Sequence, residues 1–203
     1  MLVLASASPR RRDLLSQAGY EFQIIPAEIC EDPHPGEEPI AYVLRLAREK
    51  PEAVAASPEF AVLRSTLPDF PLIPPMILGA DTTVVAPNGE ILLKPEDDAD
   101  AARMLRLLSG ATHQVITGVA LLANGVTESA AEVTDVTVLD LSDADIAAYI
   151  ATGEPRGKAG AYAIQGQFGR WVPRIQGCYF NVVGLPLARV ASMIDRARAR
   201  ASA

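Results

Sequence analysis

MLVLASASPRRRDLLSQAG, residues 1–19, decides the fold class. Leu2–Ala5 is a short apolar run that reads as a strand and leads straight into Ser8-Pro9, which reads as a helix start. At an N-cap a serine oxygen accepts an orphan amide hydrogen bond, and proline at the first helical position supplies a fixed φ where no N–H is needed. Leu14, Leu15 and Ala18 then share one face, and Gly19 is placed to end the helix. Strand, tight turn and helix in this order predict an α/β protein. The same stretch poses an electrostatic problem. Arg10, Arg11 and Arg12 fall in the first turn, where unpaired amides carry partial positive charge and carboxylates are the favoured neighbours.

Outward from this unit, Glu21–Ile25 reads as a second strand, after which Pro33, Pro35 and Pro39 break up an acidic loop, Glu28–Glu38. Val43, Leu44 and Ala47 stand at helical spacing within Ile40–Lys50. From Pro51 to Pro75 a series of prolines makes a long regular helix improbable, although Glu59–Arg64 allows a turn or two; this segment reads as a surface insertion. Met76–Val85 is strand-like but interrupted at Asp81-Thr82-Thr83, and Pro87-Asn88-Gly89 turns it into a hairpin with Ile91–Leu93. Glu96–Leu108 is helical, His113–Ala123 and Ala131–Leu139 are strands around Asn124-Gly125, and Ser142 caps a helix to about Ile150. A glycine-punctuated stretch, Gly153–Gly169, precedes two apolar runs, Trp171–Ile175 and Tyr179–Val183, and a closing helix carrying Leu187, Val190, Ala191 and Ile194. The whole is one α/β domain, residues 1–203, with the Pro-rich insertion at about 51–75.

Composition narrows the function. The 203 residues are 49% hydrophobic and 21% charged, as in ordinary globular proteins. A formal net charge of −7 argues against a nucleic-acid partner or an anionic membrane surface, so any anionic ligand must be captured locally. No apolar run approaches a membrane span, and MLVLASAS lacks the charged and apolar regions of a signal peptide, so a cytoplasmic protein is expected. Cys30 and Cys178 form no CxxC or metal-ligand spacing and read as free, non-catalytic thiols.

Asp81 is the most informative carboxylate, because it interrupts an apolar strand where a charge is costly unless paired, metal-bound or placed at an opening. Partial desolvation suits a general base, although a structural aspartate in a turn after Gly79 explains the position equally well. Glu31 and Asp32 lie in an acidic loop that reads as solvated surface or, with Asp81, as a hard-oxygen site for a divalent ion completed by phosphate. Lys94 at a strand end and Lys158 between glycines are each ordinary solvated ammoniums alone. With Arg10 and Arg11 they form a phosphate-neutralising set. His34 and His113 show no ligand spacing and receive no role. GxSxG and the Walker GxxxxGK[ST] pattern are absent, so phosphate chemistry of the P-loop kind is excluded.

SASPRRRDLL, VLRLAREK, LGADTTVV, LLKP, LSGATHQVITGVAL, GEPRGKAGAYAIQG and NVVGLPL, in this order, closely resemble the Maf family of nucleoside triphosphate pyrophosphatases, over nearly the whole chain. The resemblance implies an α/β fold with a mixed twisted sheet flanked by helices and two lobes around a central cleft, a Maf/ITPase-like architecture. It implies hydrolysis between the α and β phosphates with a divalent metal cation, Mg or Mn, a nucleoside triphosphate substrate and a homodimer. The positions matching the family's motifs are Ser8, Arg10, Arg11, Glu31, Lys50, Asp81, Thr82, Lys94, Lys158 and Gln165. Asp81 matches the proton acceptor, Glu31 and Asp81 the metal ligands, and Arg10, Thr82 and Gln165 positions that choose the base or orient the nucleotide. YAIQG is similar to the branch acting on dTTP and UTP, where a 7-methyl-GTP branch carries Glu in place of Gln165. A 7-methyl-GTP or broad specificity, and a nucleotide-binding regulator of septum formation, are the competing readings. Two positions depart from the family pattern: Cys30 stands where an acid is common, with Asp32 as a substitute, and Pro51 replaces an alanine, which predicts an early end to that helix. On this reading a polyphosphate between Arg10, Arg11 and the helix amides resolves the opening conflict. Arg12 is then a solvated extra.

Overall fold

In a computed structural model, residues 1–66 and 75–201 are described. Of the insertion predicted at 51–75, residues 67–74 lie outside the described residues. The chain divides into two compact units, the first comprising Met1–Asp81, Thr117–Ala131 and Gly184–Ala203, the second Thr82–Ile116 and Glu132–Val183. Among the described residues, no helix is long and apolar enough to cross a membrane.

Seven strands form one mixed sheet: β1 (Leu2–Leu4), β2 (Phe22–Ile24), β3 (Met76–Val85), β4 (Ile91–Leu92), β5 (Thr112–Ala123), β6 (Val126–Thr137) and β7 (Arg174–Gln176). Their order is β2-β1-β3-β5-β6-β7, with β4 paired to β3 off this path. β1 is parallel to both neighbours, Leu2 lying opposite Phe22 and Met76, and all three of its residues are buried, as expected for a strand covered on both faces. β4 runs antiparallel to β3, and β7 antiparallel to β6.

The helices are α1 (Pro9–Gln17), α2 (Pro39–Ala55), α3 (Pro58–Ser65), α4 (Asp98–Leu108), α5 (Asp143–Ala151), α6 (Tyr179–Val183) and α7 (Leu187–Ala201). Within the first unit Val3, Ala5, Val54, Phe60 and Ile77 make one core cluster. The second unit has its own, in which β4, α4 and α5 residues surround the aromatic group Tyr149, Tyr162, Phe168 and Trp171. Tyr162 and Phe168 lie with ring centroids 4.5 Å apart, and Phe168 meets Trp171 edge-on at 5.7 Å. Capping fits the sequence at α5, where Ser142 and Asp145 form a reciprocal capping box, and at α4, where Asp97 accepts from the Asp100 amide at 2.7 Å.

Three local expectations are corrected. β3 is continuous through Asp81-Thr82-Thr83. β6 begins at Val126, directly after the Asn124-Gly125 turn whose two residues take positive φ, so the hairpin extends through polar residues that lack an apolar alternation. The turn or two allowed at Glu59–Arg64 forms as the eight-residue α3, its Ser57 oxygen accepting from the Phe60 amide. Finally, α2 does not stop at Pro51 but runs a further turn to Ala55. Proline has no N–H to donate and its ring crowds the preceding turn. The strand beneath accommodates that turn, since a Cβ at Gly79 would stand 2.3 Å from the Ala47 carbonyl oxygen and 2.4 Å from Pro51 Cδ.

Candidate functional site

Two glycines on neighbouring strands let α2 approach the sheet at backbone distance. Gly79 on β3 lies under Ala47 and Pro51, and a Cβ at Gly118 on β5 would meet the Val43 carbonyl oxygen at 2.3 Å. This approach aims Lys50 at Asp81. The Lys50 ammonium is 2.7 Å from Asp81 Oδ1 and 2.8 Å from Glu31 Oε1, and it donates to the Ala80 carbonyl at 3.4 Å. An ammonium has three donors, and three acceptors surround this one. Lys50 is 4% and Asp81 8% exposed, whereas the Glu31 side chain keeps 42% of its surface in solvent. A buried base candidate is therefore joined to a carboxylate open to solvent through one shared cation.

The loop carrying Glu31 is tied down by the same helix. The buried Tyr42 hydroxyl donates to the Glu31 carbonyl at 2.7 Å, and Arg45 Nη2 donates to the Asp32 carbonyl at 3.1 Å. Arg45 also grips Glu37 with two bonds, Nε to Oε1 at 2.7 Å and Nη2 to Oε2 at 2.8 Å, while Glu37 Oε2 accepts the His34 amide at 3.0 Å. The Arg45 hydrogen bond holds the Glu37 carboxyl down at about 2. Burial, then the negative charges of Asp81 and Glu31, push the Tyr42 phenol well above its ordinary range. Sequence reasoning missed Tyr42, Arg45 and Glu37. The available signal was Tyr42, Arg45 and Glu49 at helical spacing on one face, downstream of an acidic loop.

At the start of α1, Ser8 occupies the N-cap position but its side chain makes no capping bond. Ser6 Oγ accepts from the Ser8 amide at 3.2 Å and from Arg11 Nη1 at 3.1 Å. Arg11 is buried, and its Nε donates to the Gly184 carbonyl at 2.9 Å. Burial lowers its pKa; Asp81 and Glu31 raise it in opposition, and Arg10 lowers it further. Arg10 is half-buried and its pKa is lowered by desolvation. Arg12 is exposed and pairs with Asp13 at 3.0 Å. The tandem arginines thus separate into a pinned Arg11, a partly desolvated Arg10 and a solvated Arg12.

Among the described residues no group of three or more His, Cys, Asp or Glu forms a metal cage. Glu31 and Asp81 converge on the Lys50 ammonium, so an ion shared by their oxygens would have to displace it or sit beside it; two hard-oxygen donors are of the kind Mg²⁺ or Mn²⁺ takes alongside phosphate and water. Asp32 Oδ2 accepts the Cys30 thiol at 3.4 Å, and both residues are exposed.

Thr82, Lys94, Lys158 and Gln165 belong to the second unit. Thr82 follows Asp81 on β3 and is half-buried; Lys94 is exposed just after β4. The segment Lys158–Ala161 docks beside Leu93 through the Gly160 amide, which donates to the Leu93 carbonyl at 3.2 Å, so the two lysine-bearing segments are neighbours. The Lys158 ammonium donates to the Glu154 carbonyl. Gln165 is exposed on a turn closed by the Gly166 amide donating to the Ala163 carbonyl at 3.1 Å. His113, given no role, is buried, and its Nε2 lies 2.8 Å from the Tyr162 hydroxyl.

A family model described as Maf-like protein matches residues 1–197. A protein of Koribacter versatilis (strain Ellin345), named dTTP/UTP pyrophosphatase, is 53% identical over 197 residues, 97% of this chain and 94% of its own. Proteins of the same name from Anaeromyxobacter dehalogenans (strain 2CP-C) and Geobacter sulfurreducens are each 48% identical, over 97% and 96% of this chain and 93% and 95% of theirs. With the family match spanning both units and the relatives aligned almost end to end, the chain belongs to the Maf family.

Proposed function

We propose that this chain hydrolyses dTTP and UTP, and modified pyrimidine nucleotides of the same shape, to the nucleoside monophosphate and pyrophosphate. The observation that carries this reading is the buried Asp81, held by Lys50 against the solvent-open Glu31 in a chain whose near-full-length relatives are named dTTP/UTP pyrophosphatase. Water attacks the α-phosphorus, its proton passes to an Asp81 carboxylate oxygen, and the bond from the α-phosphorus to the bridging oxygen breaks so that pyrophosphate leaves. Lys50 fixes the orientation of Asp81 and Glu31 throughout. Arg10, Arg11, Lys94 and Lys158 stabilise charge on the phosphates, work for preorganised cations and not for covalent catalysis. Ser8 and the uncapped first-turn amides of α1 bind phosphate oxygen. Glu31 and Asp81 would hold a divalent cation, which when bound supplies polarisation of water and phosphoryl oxygen.

Gln165 offers one donor and one acceptor to the N3–H and O4 edge of uracil or thymine, and Thr82 orients the nucleotide. The enzyme works as a cytoplasmic homodimer, with no nucleic-acid or membrane partner. A nucleotide panel with Mg²⁺ or Mn²⁺, scored for pyrophosphate against orthophosphate, tests the reaction. Pyrophosphate from dTTP and UTP is expected, and orthophosphate from every triphosphate would overturn it. Asp81→Asn is expected to abolish turnover while nucleotide binding persists; an Asp81→Asn enzyme that still turned over would remove the base assignment.

A further inference from the structure

Glu154 lies outside every role assigned so far, yet three separate parts of the second unit meet on it. Its Oε1 accepts the Tyr149 hydroxyl at 2.7 Å, and its Oε2 accepts the Gln167 amide at 3.0 Å. Its backbone carbonyl receives the Lys158 ammonium. Its own amide is fixed by Thr152 Oγ1 at 3.1 Å. Above the carboxylate lies Gly166, where an added Cβ would stand 2.1 Å from Oε1 and 2.4 Å from Oε2. The Ala163–Gln167 backbone therefore rests directly on the carboxylate, an approach only glycine permits. Tyr149, 2% exposed, holds the other end of the same turn, since its oxygen accepts the Ala163 amide at 3.4 Å.

We propose that Glu154 is a positioning residue that sets Gln165 through the Ala163–Gln167 turn and Lys158 through its backbone carbonyl, coupling base choice to phosphate binding. This rests on the pyrimidine triphosphate reading of the preceding section. A carboxylate suits the position because it is acceptor-only, and its two oxygens face two donors at once. Charge-assisted bonds of this kind outweigh neutral ones. With the side chain removed, the Gln167 amide and the Tyr149 hydroxyl lose a common acceptor and the apex carrying Gln165 is no longer held.

The test compares Glu154→Ala, Glu154→Gln and Gln165→Ala, alone and combined, in two measurements. In the first, amide hydrogen exchange of the nucleotide-free protein, Glu154→Ala is expected to speed exchange over residues 163–167 about tenfold while α4 keeps its protection. Glu154→Gln gives exchange between that of wild type and Glu154→Ala, its oxygen still accepting the Gln167 amide while the Tyr149 hydroxyl loses its acceptor. In the second, steady-state kinetics, Glu154→Ala is expected to lower the preference for dTTP and UTP over CTP about tenfold, with KM rising more than kcat falls. In the Gln165→Ala background it should lower that preference no further. Unchanged exchange at 163–167, or an equal loss of preference in both backgrounds, would overturn the proposal. A wild-type protein releasing no pyrophosphate from dTTP or UTP would refute the function reading instead, and the exchange data would still decide whether Glu154 holds the turn.

Discussion

Gly79→Ala tests whether the seat of α2 on the sheet builds the catalytic constellation. The new methyl would lie 2.3 Å from the Ala47 carbonyl oxygen and 2.4 Å from Pro51 Cδ, a backbone atom and a rigid ring that cannot rotate away. Reaching ordinary contact requires α2 to retreat by about 1 Å. Overpacking of this kind costs about 1–3 kcal/mol, and the upper half of that range applies where neither neighbour is flexible. For a chain of this length the melting temperature should fall by about 4–12 °C. The functional effect is larger. A 1 Å retreat takes the Lys50 ammonium beyond hydrogen-bond reach of Asp81 Oδ1, now 2.7 Å away, and misplacement on this scale costs about a hundredfold in rate. Urea unfolding and pyrophosphate release from dTTP, measured on the same preparation, give both quantities. A variant unfolding within about 0.5 kcal/mol of wild type and retaining its kcat would refute the argument that this close approach places Lys50.

Two further substitutions probe features remote from that contact. His113 is buried with its Nδ1 unpartnered, and desolvation lowers its pKa to about 4 against an ordinary 6.5, the charge of Asp135 opposing the shift. The unfolded chain therefore takes up a proton between pH 6.5 and 4 that the folded one refuses, and stability falls as pH drops through that window by an amount on the order of 3 kcal/mol. His113→Gln, which can still bond the Tyr162 hydroxyl, should flatten urea-unfolding free energy over this range relative to wild type; parallel pH profiles would sink the assignment. Arg45→Ala releases Glu37 and the Asp32 carbonyl together. It should cost about 1 kcal/mol, expose the 28–38 loop to limited proteolysis and lower kcat about tenfold through Glu31, whereas wild-type proteolysis kinetics would show that the clamp does not hold the loop.

Where the sequence was readable, a residue's role followed from its immediate neighbours. Strand, turn and helix at residues 1–19, the capping box at Ser142 and the buried carboxylate at Asp81 were all visible because each depends on a few adjacent positions. The failures share a different cause. Pro51 obeys the local rule that proline disrupts a helix, but Gly79, distant in sequence, gives the disturbed turn room. Ser8 stands where a cap belongs but makes no capping bond, and it is Ser6 that accepts from the buried Arg11. The acidic loop reads as solvated surface, yet Tyr42 and Arg45 of α2 hold its Glu31 and Asp32 carbonyls. In each case tertiary contact chose between alternatives that local chemistry left equal.

The first unit also explains how a chain of net charge −7 can receive a polyanion. It sets the cations Lys50 and Arg11 against the carboxylates of Glu31 and Asp81, with Arg10 beside Arg11, so cations are concentrated locally although the chain as a whole is acidic. Burying Lys50 is tolerable only because both carboxylates and the Ala80 carbonyl meet its donors, and burying Arg11 only because Ser6 and Gly184 do the same. Each carboxylate stabilises a buried cation in the folded chain, apart from the part proposed for it in handling substrate. Removing Glu31 or Asp81 strands Lys50 as a buried, under-compensated charge, which is costly in itself. Conservative amide replacements, which keep an oxygen acceptor on that ammonium, therefore separate the chemistry of these side chains from their part in holding the unit together.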